Sequence, residues 1–84
     1  MRSHKVTDTE LQTFLENPLE LIGKQFILKT EGQQDELLYE VVEFGVSKAK
    51  GKFYGVQYED CVSAMEVDSD EMMMNLQASF LIDA

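Results

Sequence analysis

Two capping-box spacings stand at opposite ends of this chain, Thr7 with Glu10 and Asp68 with Glu71. In such a box an N-cap oxygen and an acid three residues on satisfy each other's orphan backbone donors, so each spacing marks a helix start. After Thr7, Leu11, Phe14 and Leu15 fall on one helical face, and Asn17-Pro18 ends the run because the residue before a proline leaves the α region. This predicts a helix over Asp8–Glu16. After Asp68, the stripe Met72, Met73, Leu76 and Phe80 predicts a second helix from Ser69 to about Phe80. Asp68, Asp70 and Glu71 suit the positive end of its dipole.

Between the helices the pattern is that of strands. Gln25–Thr30 is short and β-leaning, Glu31–Asp35 is a polar loop, and Leu37–Phe44 is rich in branched and aromatic residues. Gly45–Gly51 reads as a hairpin loop, Phe53–Glu59 as the third strand and Ala64–Val67 as a short fourth. Alternation in the third strand puts Tyr54, Val56 and Tyr58 on one face and Phe53, Gly55 and Gln57 on the other. The expected organisation is a flexible terminus (1–6) and one domain (7–84): a helix over 7–17, a sheet over 21–67 and a helix over 68–81. Such a sheet needs a helix over its open face to bury enough apolar area.

Length and composition then exclude classes. With 84 residues the chain forms one domain whose core is thin, since a domain this small buries only ~60–65% of its unfolded surface. One cysteine rules out an internal disulfide framework, and one histidine beside it argues against a zinc cluster, so no cofactor is expected. No apolar run approaches the ~18 residues of a membrane span, so no membrane is expected. The net charge of −9 disfavours direct nucleic-acid binding. That charge is unevenly placed. Residues 1–52 hold nine acids against seven bases, net −2, while residues 53–84 hold seven acids and no base, net −7. An anionic face of this kind steers a basic partner.

Leu38-Tyr39-Glu40-Val41-Val42, the glycine-bounded loop and Lys52-Phe53-Tyr54-Gly55-Val56-Gln57-Tyr58-Glu59-Asp60 resemble the central hairpin of chromo and Tudor domains. The Tyr-Glu-Val opening, the Lys50-Gly51-Lys52 tip and the closing helix resemble the chromo version; Ile22-Gly23-Lys24 and the closing Tyr-Glu-Asp resemble the Tudor version. The resemblance spans about residues 21–80. It implies an α+β fold, a small antiparallel SH3-like barrel or chromo-like sheet of three to five strands with an N-terminal and a C-terminal helix. It also implies binding of basic peptides such as histone tails, often at methyl-lysine held by an aromatic cage. Tyr39 and Tyr58 match cage positions, and Asp60 matches the Tudor carboxylate with Glu59 beside it. Thr30, Val62 and Met65 stand where further aromatics are common, so the implied cage is incomplete. Cys61 replaces a turn glycine, which predicts an altered turn.

Phe53, on the face away from Tyr54, is an expected contact residue. Met65, Met72, Met73 and Met74 offer an adaptable surface or core, and three consecutive methionines cannot all face inward. Cys61 lacks a placeable base and reads as an inert thiol. The expected function is therefore non-catalytic: a protein-interaction module for a basic peptide or protein, in an intracellular and nuclear setting, within a chromatin protein or a mobile-element (retrotransposon) polyprotein. Two alternatives stay open. One is the same fold used for scaffolding or homodimerisation; the other is an acidic mimic of nucleic acid that blocks a basic protein.

Overall fold

The computed structural model describes residues 2–29 and 36–83. They form β1 (Arg2–Lys5), α1 (Asp8–Glu16), a single 3-10 turn (Pro18–Leu21), β2 (Gln25–Lys29), β3 (Glu36–Ser47), β4 (Gly51–Tyr58), β5 (Met65–Asp68), α2 (Ser69–Gln77) and β6 (Ser79–Asp83). All strands join one open antiparallel sheet in the order β1-β6-β2-β3-β4-β5, so β1 and β5 are its edges. The domain is thus a small α+β sheet with two helices. Thr30 and the loop Glu31–Asp35 lie outside the described residues.

Both caps hold their helices. At α1 the Thr7 hydroxyl accepts from Glu10 N at 3.1 Å while the Glu10 carboxylate accepts from Thr7 N at 3.0 Å. At α2 the Asp68 carboxylate accepts from Glu71 N at 2.8 Å. The strand count exceeds the three to five expected, because both termini are strands. Arg2–Lys5, read as a flexible terminus, pairs with β6. Four polar residues in a row carry no alternation a sequence reading can use. The second helix ends at Gln77 instead of continuing to Phe80. Phe80 sits four residues after Leu76, a helical interval, yet Ser79–Asp83 alternates equally well as a strand, and pairing with β2 decides between them.

One face of the sheet carries the core. Leu81, Phe26, Tyr39 and Tyr58 lie opposite one another across β6, β2, β3 and β4. Val41 with Val56, and Phe44 with Tyr54 and Val67, form the next rows. Phe14 of α1, Leu21 of the 3-10 turn, and Met72 and Leu76 of α2 cover them. Phe14 meets Phe26 edge-on at 6.2 Å, a favoured aromatic geometry.

A bulge between Val41 and Glu43 keeps this face apolar. Strict alternation from Tyr39 and Val41 would turn Glu43 inward; the extra residue Val42 shifts the parity so that Phe44 enters the core and Glu43 faces out. There the Glu43 Cβ lies over Gly55, where a Cβ would stand 2.9 Å from it. Deleting Val42 restores regular pairing with the same residues inside. The variant is expected to stay folded within ~1–2 kcal/mol by urea denaturation, despite a deletion in a central strand. Loss of the cooperative transition would show that the bulge itself is required.

Candidate peptide-binding edge

The two tyrosines matched to a cage are not equivalent in the structure. Tyr39 is 1% exposed, stacked on Phe26 at 5.2 Å, and its hydroxyl donates to Ser79 Oγ at 2.7 Å. Ser79 Oγ in turn donates to the Asn75 carbonyl at the end of α2. Burial pushes the Tyr39 phenol well above its ordinary value. Tyr39 is therefore a core residue and offers no ring face to a ligand, which corrects its assignment as a contact. Tyr58 is half-buried, its ring 5.7 Å from that of Tyr39 and tilted by 50°. Its hydroxyl accepts from Asn75 Nδ2 at 3.3 Å, and it is the last residue of β4. Burial foremost, then the Glu71 carboxylate, raises its phenol.

The turn after β4 is firmly built. Cys61 N donates to Tyr58 O at 3.1 Å, and Gln57 Nε2 donates to the carbonyls of Cys61 at 2.7 Å and Tyr58 at 3.2 Å. Glu59 ties the turn to β3, its N–H donating to Leu38 O at 3.0 Å and its carboxylate accepting from Leu38 N at 3.2 Å. Among the described residues no non-glycine has a positive φ, so Cys61 closes the turn without left-handed backbone. Burial foremost, then the neighbouring Asp60 carboxylate, raises its thiol, which disfavours the thiolate.

This turn and β5 present an unusual edge. Asp60 and Glu66 are exposed, Val62 is wholly exposed, and Met65 is 51% exposed on an edge strand. Two apolar side chains thus stand in water along the segment that follows Glu59 and Asp60, while Glu66 lies opposite Gly55 on the outer face. The other methionines divide. Met72 is fully buried against the core, which corrects its place on an interaction surface; Met73 is half-buried and Met74 is 66% exposed. Phe53 is half-buried on the outer face, its ring lying over Gly45, which has no Cβ to obstruct it. The charge division seen in sequence is partly undone, since Lys50 and Lys52 of the β3–β4 hairpin line one depression with Asp68 and Asp70. Glu66 lines an adjoining depression with the same two lysines, so the acids of this edge that stand away from them are Glu59 and Asp60.

At the opposite edge the structure brings together residues that sequence reading left apart. His4 Nε2 lies 2.8 Å from the Glu10 carboxylate and Nδ1 lies 3.0 Å from that of Asp83. Arg2 and Lys5 are the neighbouring charges on its own strand. Only the pairing of β1 with β6 could have shown this, because His4 and Asp83 stand at the two ends of the chain. Hydrogen bonds to Asp83 and then to Glu10 raise the His4 ring above 6.5. Burial would raise Glu10, but the Thr7 backbone N–H and the His4 ring outweigh it and hold this carboxyl below 4.5.

The signs give a window. The His4 contribution is complete below 6.5 and is lost as pH rises through its higher folded value; that of Glu10 is complete above 4.5 and is lost as pH falls through its lower one. The pairing of β1 with β6 is expected to be firmest between these limits and to loosen in alkaline solution. The checking measurement is the pH dependence of the β1 amide shifts. A profile unchanged in His4→Gln would show that the clamp does not hold the strand.

No family model, curated protein or solved structure matches this chain.

Proposed function

We propose that this protein is a non-catalytic interaction module that takes up a basic peptide in extended form along the β4–β5 rim. The observation that carries this reading is the exposure of Val62 and Met65 beside the acidic turn of Glu59 and Asp60, leading into a strand that among the described residues pairs on one side only. An edge strand can hydrogen-bond an added strand, acids select and steer a cationic one, and exposed aliphatic groups give it apolar contact. The hairpin resemblance to chromo and Tudor domains supports a peptide of the histone-tail kind. With Tyr39 in the core, charge and edge pairing select the peptide, and Tyr58 supplies a single ring at the rim. An acidic mimic of nucleic acid is less well supported, because Lys50 and Lys52 interrupt the anionic face beside Asp68 and Asp70.

Titration of isotope-labelled protein with a lysine-rich, histone-like peptide tests the proposal. Amide shifts are expected at Tyr58–Glu66, of equal size for unmodified and trimethylated lysine, and weaker at high salt. Preference for the trimethylated form would mean that a ring cage operates after all. The absence of shifts at this rim with any basic peptide would sink the reading.

A further inference from the structure

The second edge of the sheet is formed by β1, which pairs with β6. None of the four residues of β1 is buried, yet two consecutive basic residues of this strand, His4 and Lys5, meet partners on opposite faces of the sheet. His4 lies between the carboxylates of Glu10 and Asp83. Lys5 Nζ donates to the Gln77 carbonyl at 2.6 Å and lies 5.5 Å from the centre of the Phe80 ring, which Lys29 Nζ approaches more closely at 4.6 Å. Gln77 ends α2, where the free carbonyls carry the negative end of the helix dipole, and a ring face adds cation–π attraction. The next residue, Val6, is buried, with its N–H donating to Ser79 O at 3.1 Å. Read along the segment, the order is cation, lysine, aliphatic. Each position meets groups elsewhere in the fold, and none of these contacts requires that the segment be joined to α1.

We propose that the β6 edge, with Glu10 and the Gln77 carbonyl, is a docking site for an extended segment of a partner protein reading cation–lysine–aliphatic, and that residues 2–6 occupy it as a resident pseudo-ligand. The complementarity is that of charge: two carboxylates and a helix C-terminus receive two adjacent basic residues. The added segment runs antiparallel to β6, as β1 does. The tethered strand competes at an effective concentration in the ~mM range, so an incoming segment gains access when the polar contacts of β1 are weakened. This site is distinct from the β4–β5 rim and stands whether or not the rim binds peptide.

The test uses the full chain, wild-type and with His4→Ala and Lys5→Ala combined, and a capped peptide copying residues 2–6. The amides of Ser79–Asp83 are followed by NMR. In the double variant the peptide is expected to shift them at concentrations ~10-fold or more below those needed for wild type, and a peptide with glutamate for histidine and lysine is expected to shift none. Lys5→Ala alone serves if the double variant does not fold. Absence of β6 shifts in a folded variant overturns the proposal. So do shifts confined to Tyr58–Glu66, an outcome that would leave the rim reading intact. Shifts of β6 that grow with protein concentration and no peptide would also overturn it, in favour of strand exchange between copies.

Discussion

Tyr39→Ala is expected to cost ~4 kcal/mol of stability, within the range for truncating a buried aromatic residue. A chain of 84 residues commands only ~4–13 kcal/mol in total, so the loss removes about a third of that stability at the upper end and all of it at the lower. The cost has three sources: a ring at 1% exposure, its stack on Phe26 at 5.2 Å, and its hydroxyl bond to buried Ser79 at 2.7 Å. The last is separable. Tyr39→Phe keeps the ring and removes one donor, so it is expected to cost only ~1 kcal/mol. Denaturant unfolding followed by circular dichroism measures both. If Tyr39 were instead the wall of an open cage, Tyr39→Ala would leave stability within ~0.5 kcal/mol and abolish peptide binding, the reverse of the expected pattern.

The difference between Tyr39 and Tyr58 shows what a sequence reading can reach. Helix starts are written locally: Thr7 and Glu10 need only each other, and α1 spans Asp8–Glu16 as their spacing requires. Face alternation in β4 is also local, so Tyr54 and Val56 fall inside as their parity implies. Exposure is not local. Tyr39 and Tyr58 are cross-strand partners on the same face, and α2 with Ser79 covers the first more fully than the second. The bulge at Val42 was hidden for the same reason, since it becomes necessary only when β3 pairs with β4 and Glu43 would otherwise turn inward. The pairing of β1 with β6 joins residues nearly the whole chain apart, and no spacing rule connects them.

The largest effect on binding is expected from reversing two charges at the rim, Asp60→Lys with Glu66→Lys. Each is exposed, and an exposed ion pair contributes ~0.2–1 kcal/mol, so replacing attraction by repulsion at both positions should weaken a basic peptide by ~10-fold or more. Asp68 is left intact because it caps α2, and its replacement would mix stability with binding. Glu59 is left intact because it ties the turn to Leu38. The chosen pair should therefore change unfolding free energy by no more than ~0.5 kcal/mol. The decisive readout is the salt dependence of the peptide Kd. Wild type should weaken steeply as ionic strength rises, while the reversed variant should bind poorly at low salt and lose that dependence. An unchanged Kd in the variant would place the peptide away from this rim. A Kd weakened equally at all salt concentrations would mean that Val62 and Met65, and not the acids, carry the contact.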